Sequence, residues 1–146
     1  MLQDHLEQAL ARSERTGSRT GLLFLDLDNF KQVNDAHGHA VGDAVLVEVG
    51  HRLRSAVRPF DTVARLGGDE FVVLCEPVDE ESAIALGRRL QTAIELPVST
   101  GGTTHELSAS IGIALSPAHP EALLENADSA LYRAKAHGGG RIEVFA

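Results

Sequence analysis

A chain of 146 residues, 43% hydrophobic and 23% charged, is long enough to close a core of its own and too apolar to be a disordered or fibrous segment. Its 21 acidic residues against 13 Lys and Arg give a formal net charge of −8. A surface this acidic repels a polyphosphate backbone, which argues against a partner of nucleic-acid polymer but leaves room for a nucleotide held through a divalent cation. The single cysteine, Cys75, rules out an internal disulfide, and no apolar run has signal-peptide or bilayer length. These features predict a cytoplasmic domain without direct membrane contact, although a parent protein could be membrane-anchored.

In chain order, Leu2, Leu6, Ala9 and Leu10 recur at helical spacing up to Arg15, and Thr16-Gly17-Ser18 breaks the pattern. Gly21 to Leu25 is an unbroken apolar run, read as a strand buried on both faces, and it ends in Asp26-Leu27-Asp28. Phe30 to Val33 predicts a short helical turn, and Asn34-Asp35 with His37-Gly38-His39 predicts a loop. Asp43 to Val57 reads as an amphipathic helix stopped by Pro59. Thr62 to Leu66 and Glu70 to Cys75, around Gly67-Gly68, predict a β-hairpin.

A helix over about Glu80 to Ile94 follows, then a loop at Ser99-Thr100-Gly101-Gly102. His105 to Leu115 predicts one strand, Pro120 to Ala136 a long helix, and Arg141 to Phe145 a final strand. On the last helix, Leu131 and Tyr132 are expected in the core. Cys75, closing an apolar strand, reads as a buried small side chain rather than a nucleophile. The order of elements predicts an α/β (α+β) fold with one central mixed sheet flanked by helices.

The chemistry concentrates in carboxylates at strand ends. Asp26 sits where a buried strand reaches the surface, and Asp69 and Glu70 adjoin a double glycine that leaves room for a ligand. Any one of these acids alone reads as an exposed polar end. Together they would repel one another unless a cation joined them, and Mg²⁺ takes hard oxygen ligands and shares its sphere with substrate phosphates. His37-Gly38-His39 lacks carboxylate or cysteine partners at zinc-like spacing and is read as structural.

The string Arg65-Leu66-Gly67-Gly68-Asp69-Glu70-Phe71 resembles the signature of the GGDEF domains, the diguanylate cyclases. Asp26-Leu27-Asp28-Asn29-Phe30-Lys31, Asn34-Asp35, Gly38-His39, Gly42-Asp43, Ser110-Ile111-Gly112-Ile113-Ala114, Ala127-Asp128 and Ala130-Leu131-Tyr132-Arg133-Ala134-Lys135 match in the same order. The resemblance covers about Leu22 to Phe145, and it implies a single domain over 1–146 with a nucleotidyl cyclase and polymerase palm-like sheet, mainly antiparallel. It implies a metal site, Mg²⁺ or Mn²⁺, at Asp26, the Leu27 carbonyl, Asp69 and Glu70, with Gly67 and Gly68 letting the turn lie against phosphates. Asn34 and Asp43 would read the guanine of GTP; Phe30, Lys31 and Lys135 would complete the substrate site.

By the same resemblance, two GTP would be condensed to cyclic di-GMP across a homodimer, and Arg58, Asp61 and Arg89 would form an inhibitory product site. The family's usual opening segment, Asp-x-Leu-Thr-Gly-Leu-x-Asn-Arg, is not found ahead of Met1, and Gly139 stands where relatives carry an arginine. A second reading stays open on that account: a module that binds GTP or cyclic di-GMP without turnover and controls an attached phosphodiesterase or other domain. Sensory or phosphodiesterase domains are expected in a parent protein. Asn34 and Asp43 suit guanine and disfavour a cyclase for another nucleotide.

Overall fold

The computed structural model describes residues 2–100 and 102–146. Helix α1 (Leu2–Thr16) leads into the central strand β1 (Gly21–Asp28). Helices α2 (Phe30–His37) and α3 (His39–Ala56) follow, then the hairpin β2 (Thr62–Gly67) and β3 (Glu70–Cys75) and helix α4 (Glu80–Glu95). A small hairpin, β4 (Val98–Thr100) with β5 (Thr103–His105), precedes β6 (Ser108–Leu115), α5 (Pro120–Ala136) and β7 (Ile142–Val144). The main sheet has the order β2-β3-β1-β6-β7, antiparallel throughout except for the parallel pair β6–β7. This is the mixed, mainly antiparallel sheet flanked by helices that the sequence predicts.

Both faces of the sheet are covered. Leu23, Leu25 and Leu27 of β1 face α2, α3 and α4, joining Val45, Val49, Leu53, Leu86 and Leu90 in one cluster. Leu22 and Phe24 face the other way and pack with Leu6 and Ala9 of α1 and Leu123, Ala127 and Leu131 of α5. Strand alternation therefore sends even-numbered β1 residues to the α1/α5 layer and odd-numbered ones to the α2–α4 layer. Burying the centre of β1 on both sides is what its unbroken apolar run requires.

Several expectations need correction. Asn34 and Asp35 are helical, because Phe30 and Val33, one turn apart, anchor α2 to the core and outweigh the poor helix propensity of Asn-Asp. Only Gly38, at φ +90°, separates α2 from α3, which starts at His39 rather than Asp43. His37 closes α2 and meets the ring of His105 edge-on at 4.8 Å. Ser99 and Thr100 lie in β4 rather than a loop, while Gly101 lies outside the described residues. The predicted strand from His105 to Leu115 is two strands interrupted at Glu106 and Leu107.

Tyr132 is 76% exposed, not core. The buried stripe of α5 runs through Leu123, Ala127, Ala130, Leu131 and Ala134, and the 100° step from Leu131 carries Tyr132 off it. Cys75 is buried as expected, and burial pushes its thiol up to about 12, far from the reactive range. No helix among the described residues is long and apolar enough to cross a membrane.

Candidate active site

The even-numbered face of the sheet turns polar where the α5 layer runs out. Asp26 and Asp28 end β1 on that face, and the register pairs Asp26 with Glu70 on one side and with Ser110 on the other. Directly opposed residues on one face of an antiparallel pair have Cβ atoms about 5 Å apart, so Asp26 and Glu70 are neighbours by register alone. The β2–β3 turn is Gly68-Asp69, with Gly67 paired to Glu70 and an irregularity between Arg65 and Gly67. Gly68, at φ +50°, supplies the left-handed residue of this turn. Arg65 Nε donates to the Gly68 carbonyl at 2.9 Å, and the Leu27 N–H donates to the Asp69 carbonyl at 3.3 Å, which lays the turn across the tip of β1.

The electrostatics at Asp26 are strained. Burial and the neighbouring Asp69 carboxylate push its carboxyl up to about 6, against the opposing pull of Lys135. Its Oδ1 is buried without a hydrogen-bond partner, while Lys135 Nζ lies 3.2 Å from Oδ2. An orphaned carboxylate oxygen beside a second carboxylate is a place where a hard cation fits. No three His, Cys, Asp or Glu side chains among the described residues already converge at chelating distance. The carboxylates would accordingly have to close on a Mg²⁺, which completes its sphere from carbonyl, water and phosphate oxygens.

Asp28 was not among the predicted site residues, and it is the most heavily held side chain in the region. Ser108 Oγ donates to its Oδ2 and Ser110 Oγ to its Oδ1, both at 2.7 Å, and the Gly140 N–H donates to Oδ2 at 2.9 Å. Burial alone would raise the Asp28 carboxyl, but these donors and the Lys135 ammonium outweigh it and hold it below the ordinary carboxylate range. The available signal was the matched alternation of Asp26 and Asp28 against Ser108 and Ser110. Gly139, at φ +74°, would place a Cβ 3.0 Å from Asp28 Oδ1, so the loop lies close over this cluster.

The other predicted residues fall in three places. Asn34 is half-buried on α2 and its side chain lies against Gly42, where a Cβ would come within 1.8 Å of Asn34 Oδ1. This sets Asn34 beside exposed Asp43, the next residue on α3. Lys31 is exposed on α2, whereas Phe30 is 6% exposed and belongs to the core, which limits it to supporting the helix from beneath. Arg58 makes a bidentate pair with Asp61, Nε to Oδ2 and Nη2 to Oδ1, each 3.1 Å. It also donates to the carbonyls of Pro77 and Glu76 and stacks over Phe60 at 4.8 Å. Arg89 Nε donates to the Ala56 carbonyl at 2.8 Å, bringing it near Arg58 from α4.

Comparison with known proteins agrees with this geometry. The sequence profile of the family described as "Diguanylate cyclase, GGDEF domain" matches residues 1–141. The bifunctional diguanylate cyclase/cyclic di-GMP phosphodiesterase MucR of Pseudomonas aeruginosa is 47% identical over 94% of this chain and 21% of its own length. The crystal structure of the GGDEF domain of TpbB from the same organism superimposes with a TM-score of 0.96 at 39% identity, covering 99% of this chain and 93% of that one. The GGDEF domain of DgcB from Caulobacter crescentus, solved in complex with c-di-GMP, gives 0.90 at 27% identity over 98% and 87%. The chain spans 18 to 33% of the length of the curated relatives it matches. With its signature hairpin laid against an acid-tipped β1, on a sheet shared with solved members, the chain belongs to the GGDEF domain family of diguanylate cyclases.

Proposed function

We propose that this domain condenses two GTP into cyclic di-GMP, with release of two pyrophosphates, in a dimer of domains. The observation that carries this reading is the orphaned Oδ1 of Asp26 at the tip of β1, set beside Asp69 and opposite Glu70. Asp26, the Leu27 carbonyl, Asp69 and Glu70 would hold Mg²⁺ or Mn²⁺, a group on which the family generally depends. When bound, such an ion neutralises charge on the phosphate oxygens.

The chain's own groups do the rest. Asp43 accepts from the guanine N1–H and exocyclic amine, and Asn34, fixed against Gly42, both donates and accepts at the same edge. Lys31 and Lys135 supply cations to the triphosphate, and Gly67 and Gly68 let the turn approach it. Asp69 takes the proton from an attacking 3′-hydroxyl. Each 3′-oxygen forms one bond to the α-phosphorus of the other GTP as one pyrophosphate leaves, so two bonds form and two break. Because each domain presents one GTP, the second domain completes the site, and rate comes mostly from positioning and charge neutralisation. Product would bind at Arg58, Asp61 and Arg89 and inhibit.

The test is product formation from GTP and Mg²⁺, read by chromatography and mass spectrometry over a range of protein concentrations. Cyclic di-GMP should appear with a specific activity that rises with concentration, and Glu70→Gln should lower it by on the order of 10²-fold or more. GTP or cyclic di-GMP binding without product would favour the regulatory module, a reading compatible with relatives named only as cyclic di-GMP phosphodiesterases, PdeR of Escherichia coli and NbdA of Pseudomonas aeruginosa.

A further inference from the structure

Lys135 does not point at open solvent to await a phosphate. From the last turn of α5 its Nζ reaches 3.2 Å from Asp26 Oδ2 and 3.6 Å from Asp28 Oδ1, and its side chain keeps 36% of its exposure. The two carboxylates differ in how firmly they are held. Asp28 is fixed by Ser108, Ser110 and the Gly140 N–H, so it is an immobile post. Asp26 has no comparable set of donors, and the ammonium is the ion pair on its Oδ2.

We propose that Lys135 is a resting counter-ion that covers Asp26 in the nucleotide-free domain and is exchanged from it only when a triphosphate offers a second anion. The proposal rests on the metal-site reading of Asp26 given above. A metal on the free Oδ1 and an ammonium on Oδ2 of the same carboxylate are close enough to repel one another strongly. Metal binding at Asp26 is therefore favoured once Lys135 has moved off Oδ2. A lysine suits this exchange, being a compact charge with three donors on a flexible stem. Asp28 keeps the ammonium within reach of both anions, which makes Asp28 the positioning residue of the device. Metal occupancy is thereby coupled to nucleotide occupancy, and a free divalent ion alone gains little at this site.

The test is the affinity of the nucleotide-free protein for Mn²⁺ alone, read by electron paramagnetic resonance as loss of the free-ion signal. Lys135→Met should bind Mn²⁺ about three- to fivefold tighter than the parent, the gain expected from releasing one partly shielded ion pair. Lys135→Arg, which keeps the charge, should stay within about twofold of the parent, and Lys31→Met should do the same because Lys31 pairs with neither aspartate. GTP affinity should fall in Lys135→Met, opposite in sign to the Mn²⁺ effect. A Lys135→Met protein, or a Lys135→Gln second variant, that binds Mn²⁺ no tighter than the parent overturns the proposal. So does an equal gain in Lys31→Met, which would reduce the effect to overall charge. If the parent makes cyclic di-GMP while Lys135→Met shows no gain, the exchange fails and the cyclase reading stands. Absence of both product and Mn²⁺ binding in every protein removes the two together.

Discussion

At Asp26 folding opposes ionisation. Burial and the adjacent Asp69 carboxylate raise its pKa from the ordinary 3.8 to about 6, so the folded protein holds a proton that the unfolded chain has already released. Between these values the folded state binds more protons, and stability falls as pH rises. The contribution is fully present below about pH 4 and is lost by the time pH has passed 6. Asp26→Asn removes this titration while keeping the shape. In metal-free buffer, parent and Asp26→Asn should melt alike near pH 4, and the variant should melt higher at pH 8. A melting difference that does not change with pH would show that Asp26 is not strained. Asp28, two residues away on the same strand, has the opposite shift because its donors outweigh its burial. One strand end thus holds a carboxylate with a bare buried oxygen beside one already satisfied.

The element that carries Lys135 is placed by a glycine. A Cβ on Gly112 of β6 would lie 2.2 Å from the Ala127 carbonyl oxygen and 2.2 Å from the Leu131 nitrogen, both backbone atoms of α5. Contacts that short cannot be relieved by turning a side chain, so Gly112→Ala has to push the whole helix off the sheet. It should cost about 3 kcal/mol or more by chemical denaturation, at the upper end for overpacking. The surviving folded fraction should bind GTP more weakly, because Lys135 moves with α5. Chevron or equilibrium urea curves that match the parent would reject this account. The periodicity of Pro120 to Ala136 gave the bounds of α5 correctly, since a proline start and a glycine run at the end mark them. It misplaced Tyr132, because adjacency to buried Leu131 is not sameness of face. The helical state of Asn34-Asp35 was illegible for a different reason: it has no local pattern and is imposed by what it packs against. The hairpin β4–β5 did have a signal, Gly101-Gly102 between two short Val- and Thr-containing runs, which the loop reading passed over.

Across the whole molecule the site joins segments that are distant in sequence, and this decided what could be read beforehand. Asp26, Asp69 and Glu70 were legible because each stands at the end of an apolar run, beside turn residues. Asp28 with Ser108, Ser110 and Gly140 was not, since its donors come from β6 and from the loop after α5 and meet only once the sheet order β1-β6-β7 is formed. The same sheet separates the proposed metal end from the proposed product site. Arg58 and Asp61 precede β2, and Glu76 and Pro77 follow β3, so they lie at the opposite end of the hairpin from Gly68-Asp69, roughly 17 Å along the strand. Product bound there cannot touch the reacting atoms; it must act through the rigid hairpin or by bridging a second domain. Arg58 is already committed to Asp61, whose side chain is fully buried, and to two carbonyls, so it presents a pre-oriented fork rather than a mobile arm. Arg58→Ala should weaken cyclic di-GMP binding at least tenfold by calorimetry and sustain the reaction after product accumulates, while leaving the initial rate near that of the parent. Because Arg58 also ties Glu76 and Pro77 together, Arg89→Ala, which gives up only the Ala56 carbonyl, is the milder companion and should act in the same direction. Undiminished product affinity in both would mean that this cluster only clamps the open end of the hairpin.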